Sequence, residues 1–437
     1  MAVYTTENVA EVSSPPTLRG EVRLPGDKPI THRAILLNSL AEGEARVSEA
    51  GLGEDCRHTI ACLRSLGTQI QIASETDLLI QSPGIHGMRE PDEILDCGNS
   101  GTTMRLLLGM LAGLDLFAVL TGDASLRGRP MSRVSEPLRL MGAEIHGRNG
   151  GNNAPLAING GQLRGMEVRI TVASAQVKSA LLIAGMLGSG TTTIRQPAVS
   201  RDHTEIMLRS QGVQVDSAGL NITIEGGQRP SPVDVTVPGD ISSAAGWLAA
   251  GALHPRADIT MSGVSINPTR SGVIDVLRRM GARIDVVPDR NGPEPTASLR
   301  VQSSTLKPTR IGGSEIPVIQ DELPLIALAA TQAEGRTEIR DAQELRVKES
   351  DRISTTCREL NLLGANVEEL ADGLVIEGPT PLHGADVDSH GDHRLAMCLG
   401  VAGSIANGTT IVHGFKSASV SYPIFWSELE RFSVTSV

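Results

Sequence analysis

Two phrases of apolar and polar residues alternate along the chain. The first is a helix end, a glycine and then a strand, as in Cys62-Leu63-Arg64-Ser65-Leu66-Gly67-Thr68-Gln69-Ile70. It returns over 137–145, 208–215, 277–284 and 360–367, with glycines 67, 142, 212, 281 and 364 separated by 75, 70, 69 and 83 residues. A sixth, degenerate copy is the stretch Phe425–Phe432. Glycine suits the position after a helix because it has no Cβ to clash in the left-handed conformation found there.

The second phrase interleaves with the first. It is a helix of small apolar residues, a short turn and a β-branched strand, with copies starting near Arg33, Met104, Lys178, Ser243, Leu323 and Arg394. Runs such as Thr191-Thr192-Thr193-Ile194 and Thr409-Thr410-Ile411-Val412 have strand composition. The two phrases in phase predict an α/β protein of six units of roughly 70 residues, too long for thin solenoid slabs. Each unit reads as βαβαββ, and six of them pack naturally as two domains of three.

Composition narrows the function classes. The 437 residues carry a net charge of −11 and only eight Phe, Tyr and Trp, so a general nucleic-acid surface, which needs a basic footprint and stacking aromatics, is not expected. Five cysteines with no CxxC spacing predict reduced thiols, with neither a disulfide framework nor a zinc knuckle. Residues 1–14 have no basic residue or apolar core, which predicts no signal peptide. The most apolar stretch, 106–120, is interrupted by Asp115 and is shorter than the ~20 residues of a membrane span. A soluble cytoplasmic protein is expected.

Candidate chemistry lies where the apolar helices begin. Each start is polar and small with a charge nearby, as in Asp27-Lys28-Pro29-Ile30-Thr31-His32-Arg33, Gly98-Asn99-Ser100-Gly101, Ala173-Ser174-Ala175-Gln176-Val177-Lys178, Gln320-Asp321-Glu322 and His390-Gly391-Asp392-His393-Arg394. Unpaired backbone N–H groups and the helix dipole make such starts suited to anions. None is a Walker A loop or a dinucleotide fingerprint, so no nucleotide cofactor is expected. If Glu344–Arg352 is helical, Lys348 and Arg352 share a face with Glu349 beside it, and a solvated charged surface is the default reading. The strings Arg201-Asp202-His203-Thr204-Glu205 and His390–Arg394 lack metal-ligand spacing and carry arginine beside the would-be ligands, so no metal is expected.

Taken in order, the strings 26–33, 98–105, 127–133, 173–178, 321–324, 346–352 and 391–397 resemble the 5-enolpyruvylshikimate-3-phosphate synthases, a branch of the enolpyruvyl transferase family. The resemblance spans nearly the whole chain. It implies a two-domain inside-out α/β barrel of six βαβαββ repeats, with residues 1–26 and 241–437 in one domain and 27–240 in the other. Substrates would lie in an interdomain cleft that closes on binding. The implied reaction moves the carboxyvinyl group of phosphoenolpyruvate to the 5-hydroxyl of shikimate 3-phosphate through a tetrahedral intermediate, without metal or cofactor. The resemblance leaves open a relative acting on another acceptor, such as UDP-N-acetylglucosamine, and a non-catalytic scaffold. A monomer with small-molecule substrates, and no nucleic-acid or membrane partner, is expected.

The same resemblance implies roles for single residues. Lys28 would contact both substrates. Arg33, Ser174, Gln176, Ser200, Arg201, Asp321 and Lys348 would hold shikimate 3-phosphate, and Gly101, Arg129, Arg352 and Arg394 would hold phosphoenolpyruvate. Asp321 would accept the hydroxyl proton and Glu349 would protonate the vinyl carbon. Two positions depart from the family pattern: Pro29 stands where serine is common, and Val420 where some members have lysine, with Lys416 as a substitute nearby. The strings 174–178, 201–205 and 267–270 resemble the branch often tolerant to glyphosate, whereas Gly101 implies room for that inhibitor.

Overall fold

In a computed structural model, residues 3–289 and 292–434 are described. They contain six sheets of four strands each. All six follow one pattern: an outer strand pairs parallel with its neighbour, and the remaining two pairings are antiparallel.

One repeat shows how the sequence phrases become structure. Strand Leu95–Asp96 feeds helix Gly101–Ala112, which returns to strand Phe117–Thr121. These two strands pair parallel, Leu95 against Leu120, because the helical crossover brings the chain back in the same direction. Helix Ser132–Met141 and the antiparallel strands Glu144–Gly147 and Asn153–Asn159 complete the unit. Gly142 ends its helix at φ 122°, a conformation that a side chain disfavours.

Contacts divide the chain into two compact units, Gly26–Val237 and Met1–Pro25 with Pro238–Val437. Each holds three of the sheets, and in each the chain returns to its own start. In the first, Val235–Thr236 pairs parallel with Glu42–Ser48. In the second, Leu18–Val22 pairs parallel with Ala257–Ser265, and Val9–Ser13 pairs with Thr409–His413.

The helices of the second phrase are Lys28–Leu40, Gly101–Ala112, Ala175–Leu187, Ile241–Leu253, Leu323–Ala330 and His393–Gly403. They are buried almost all round; every residue from Ile241 to Ala252 is inside. Small residues let their backbones touch. A Cβ on Gly109 would lie 2.3 Å from the Ala180 carbonyl oxygen, so helices Gly101–Ala112 and Ala175–Leu187 meet without side chains between them. One core helix does carry a large aromatic. Trp247 packs at ring distances of 6.1 and 5.2 Å against Phe425 and Phe432 of the degenerate sixth copy, helix Phe425–Val434.

The structure corrects one expectation. Glu344–Arg352 is not a continuous helix: a 3-10 turn covers Gln343–Val347, Lys348 is extended, and helix Arg352–Leu362 starts afresh. Asp351 causes the restart, since its carboxylate accepts the Ser354 N–H as an N-cap at 3.1 Å. Nor is this a solvated face, because the Arg352 side chain is 1% exposed. Among the described residues the five cysteines are buried and free, and no helix is long and apolar enough to cross a membrane.

Candidate functional site

In Gly26–Val237, the first helix start holds Lys28 through Asp27, whose carboxylate accepts the Ile30 N–H at 2.9 Å. Pro29 fits that first turn, where its missing N–H leaves nothing unpaired. The Lys28 ammonium pairs with Asp55 at 2.9 Å, and both side chains keep some solvent contact. Arg33, 3% exposed, is gripped by neutral groups: Nε donates to the Thr204 hydroxyl, Nη1 to the Pro29 carbonyl and Nη2 to the Ser179 hydroxyl.

The second and third helix starts come together through side chains. Ser100 caps Gly101–Ala112 and Ser174 caps Ala175–Leu187. Gln176 reaches from one to the other, donating to the Thr102 hydroxyl at 2.8 Å and accepting Arg105 Nη1 at 2.6 Å. Arg129 is clamped onto Asn99, with 2.6 Å from Nη2 to Oδ1. Gly101 sits between the two guanidiniums: a Cβ there would lie 2.7 Å from Arg105 Nη1 and 3.4 Å from Arg129 Nη1. Two cations beside a helix N-terminus are chemically suited to a carboxylate or phosphate.

Next to them, Ser200 is 3% exposed and donates to Gln196 at 2.8 Å, while its carbonyl accepts Lys178 Nζ at 3.0 Å. Lys178 also pairs with Glu205 at 2.6 Å, both essentially buried. Arg201 follows Ser200, just ahead of helix His203–Ser210.

In Pro238–Val437 the charges form a tight network. Arg352 meets Asp392 twice, Nε to Oδ2 at 2.7 Å and Nη2 to Oδ1 at 3.2 Å. Its remaining donors reach Asp321 at 3.1 Å and Glu349 at 2.7 Å. Three carboxylates around one buried guanidinium raise its pKa against the opposing effect of burial. Lys348 donates to Gln320 at 3.0 Å. Burial pushes its ammonium below the usual lysine pKa, helped by Arg352 and opposed by Asp321 and Glu349. Asp392 also caps helix His393–Gly403 through the Arg394 N–H. Arg394 is 4% exposed, and its Nε and Nη1 have no hydrogen-bond partner among the described residues. A buried guanidinium with idle donors is an anion seat by its chemistry.

The candidates thus gather within each unit: Lys28, Arg33, Gly101, Arg129, Ser174, Gln176, Ser200 and Arg201 in the first, and Asp321, Lys348, Glu349, Arg352 and Arg394 in the second. Sequence reasoning gave no role to their partners Asp55, Arg105, Lys178, Glu205 and Asp392, nor to Arg270, whose Nη2 donates to Asp240 at 2.9 Å. Lys416 is exposed and Val420 half-buried on the 3-10 turn Phe415–Val420. Among the described residues, no group of three or more His, Cys, Asp or Glu side chains could hold a metal ion.

A family model described as EPSP synthase (3-phosphoshikimate 1-carboxyvinyltransferase) matches residues 12–429. A 3-phosphoshikimate 1-carboxyvinyltransferase of Synechococcus sp. is 51% identical over 435 residues, 99% of this chain and 98% of that protein. One from Roseiflexus castenholzii is 50% identical over 96% of this chain and 98% of its own length. The solved EPSP synthase of Acinetobacter baumannii superposes with a TM-score of 0.86 at 39% identity, covering 97% of this chain and 98% of that one. The enolpyruvyl transferase NikO of Streptomyces tendae shares the fold, with a TM-score of 0.77 at 21% identity over 98% and 97% of the two chains.

Proposed function

The chain belongs to the EPSP synthase family and is a 3-phosphoshikimate 1-carboxyvinyltransferase of the shikimate pathway; we propose that it performs this transfer with the two sets of residues described above, acting on the same pair of substrates. Two phosphates and two carboxylates must be brought together. At an effective dielectric near 20, one pair of unit charges 4 Å apart interacts by about 4 kcal/mol, so several cations are needed to offset the repulsion.

In this reading Arg33, Ser174, Gln176, Ser200, Arg201 and Lys348 hold shikimate 3-phosphate. Gly101 with Arg129, Arg352 and Arg394 holds phosphoenolpyruvate, and Lys28 contacts both. Asp321 removes the proton from the 5-hydroxyl as its oxygen attacks the carbon bearing phosphate, while Glu349 protonates the terminal vinyl carbon. Loss of a proton from that carbon and departure of phosphate then restore the double bond. Positioned acid–base groups contribute on the order of 10²–10⁴ in rate, and alignment of the two substrates adds to this. Neither step calls for a metal or an organic cofactor. The units Met1–Pro25 with Pro238–Val437 and Gly26–Val237 serve as the two domains, and the enzyme works as a cytoplasmic monomer.

The observation that best supports the assignment of roles is that Asp321 and Glu349, the two proton-transfer carboxylates, both bond one buried guanidinium, Arg352. An anion arriving at Arg352 would therefore meet the acid and the base together. Phosphate release measured with both substrates, with each alone, and with UDP-N-acetylglucosamine in place of shikimate 3-phosphate tests the function. Release is expected only with phosphoenolpyruvate and shikimate 3-phosphate together. Equal release with the nucleotide sugar would move the chain to the other acceptor class. A Lys28→Met variant is expected to lose turnover, and an unimpaired one would overturn the placing of Lys28.

A further inference from the structure

The internal repeat points to a cation that the assignment above leaves unused. In three repeats an assigned arginine stands at, or within three residues of, the start of the second helix: Arg129 before Ser132–Met141, Arg201 before His203–Ser210 and Arg352 at the head of Arg352–Leu362. Arg270 occupies the same place before helix Gly272–Arg279. Unlike the other three it is 0% exposed. Its backbone N–H donates to the Asn267 carbonyl at 2.9 Å, which fixes the turn carrying it. Its Nη2 donates to Asp240 and to the Ser242 hydroxyl, both at 2.9 Å, and its Nη1 lies 3.9 Å from Asp321 Oδ2.

We propose that Arg270 is a positioning residue for the transfer reaction, holding Asp321 as an oriented carboxylate from the side opposite Arg352. The inference rests on the reading that Asp321 is the base. Arg270 spends its Nη2 donors on Asp240 and Ser242 and acts through its other neighbour, Asp321, whose side chain is 18% exposed. Arg352 faces one oxygen of Asp321 and Arg270 the other. In the proposed reaction Arg352 is drawn to phosphoenolpyruvate, and its hold on Asp321 weakens at the moment the base is needed. Arg270 is then the cation that remains, anchored from behind by Asp240, which is itself fully buried and caps helix Ile241–Leu253.

The other charges around Asp321 do not replace it. Lys348 interacts electrostatically with Asp321, but its ammonium donates to Gln320 at 3.0 Å and in the proposed reaction is committed to shikimate 3-phosphate. Glu349 and Asp392 share Arg352, and Glu322, adjacent in sequence, is buried against the Ser242 hydroxyl. These carboxylates oppose ionisation of Asp321, so removing the Arg270 charge is expected to raise the pKa of the base.

The test is the pH dependence of kcat/KM for the full chain with both substrates, for wild type, Arg270→Gln and Arg270→Lys. The glutamine variant is expected to lose at least about tenfold in kcat, with its acid limb moved upward by about one pH unit. The lysine variant keeps the charge and should hold the limb near the wild-type position. A folded glutamine variant with an unmoved limb overturns the proposal, as does equal impairment of both variants with no movement. Should Arg270→Gln fail to fold, Arg270→Lys is added to Asp321→Asn. No further loss of kcat supports action through Asp321, and multiplied losses overturn it. A wild type that releases no phosphate would instead sink the functional reading beneath it.

Discussion

Arg352 and Asp392 are joined by two parallel hydrogen bonds, 2.7 and 3.2 Å long, between side chains of which 1% and 0% is exposed. The pair occupies one edge of the guanidinium and leaves the other to Asp321 and Glu349. Asp392 also caps the helix that carries Arg394, so one carboxylate orients two of the proposed phosphoenolpyruvate ligands. Asp392→Ala removes the fork and the cap and leaves a buried cation short of a counter-charge. The expected loss of stability in urea unfolding is about 3–5 kcal/mol. Asp392→Asn retains an acceptor for the cap and should lose less, while still raising KM for phosphoenolpyruvate. Equal stability of the alanine variant and wild type would show that the pair contributes nothing net.

Lys178 and Glu205 make a further deeply buried ion pair near the proposed site, at 2.6 Å. The lysine also holds the Ser200 carbonyl, so the pair shapes the Ser200–Arg201 turn. Lys178→Met strands Glu205 inside the protein and should destabilise by about 3–5 kcal/mol. Adding Glu205→Leu removes the stranded charge and is expected to recover most of that loss, although KM for shikimate 3-phosphate stays raised. Thermal unfolding of the two variants separates these outcomes; failure of the double variant to recover would locate the effect in the Ser200 contact.

The repeats were legible because the signals for them are local. A helix, a glycine that accepts positive φ and a β-branched run are each written in a few adjacent residues, as at Met141-Gly142-Ala143. Cations at helix starts were legible for the same reason, and the resemblance sorted them into roles. Their counter-ions were not. Asp392 lies 40 residues from Arg352, Asp55 lies 27 from Lys28 and Asp240 lies 30 from Arg270, each brought in by packing of different helices. Spacing misled at Lys348 and Arg352, where an i,i+4 pattern suggested one helix face. The Asp351 cap instead starts a new helix and turns the arginine inward. Arg270 is legible in the repeat pattern, since it stands before helix Gly272–Arg279 as Arg201 stands before helix His203–Ser210.

Buried His32 gives a pH dependence of stability. Its Nδ1 lies 2.7 Å from the Thr59 hydroxyl, Nε2 is buried without a partner among the described residues, and burial lowers its pKa to about 3. Nearby Lys28 and Arg33 push the same way, and Asp55 opposes them. The folded state thus keeps His32 neutral while the unfolded chain takes up a proton below about pH 6.5. Its stabilisation is present above that pH and falls by about 1.4 kcal/mol per unit as pH drops toward 3. Between pH 6.5 and 5 this amounts to about 2 kcal/mol. A His32→Gln variant should therefore lose less stability than wild type over that range in urea titrations. Parallel losses would mean that the imidazole titrates alike in both states.

Gly101 is the position where one methyl group reports on the anion seat. A Cβ there falls 2.7 Å from Arg105 Nη1, so Arg105 must move, and its 2.6 Å bond to Gln176 moves with it. Arg129, at 3.4 Å, is merely crowded. Alanine gains up to about 1 kcal/mol of helix propensity over glycine, which offsets part of the cost of moving Arg105, so Gly101→Ala should still fold. Displacing Arg105 and crowding Arg129 disturbs the proposed phosphoenolpyruvate seat, and a rise of about tenfold in KM for phosphoenolpyruvate, about 1.4 kcal/mol, is expected. Glyphosate inhibition should weaken by a larger factor, because the added methyl group takes up space the inhibitor needs in addition to disturbing the two arginines. Inhibition and steady-state kinetics on the same preparation decide the point. An alanine variant inhibited as strongly as wild type would place the inhibitor away from Gly101, and an unchanged KM would show that Arg105 moves aside without disturbing the seat.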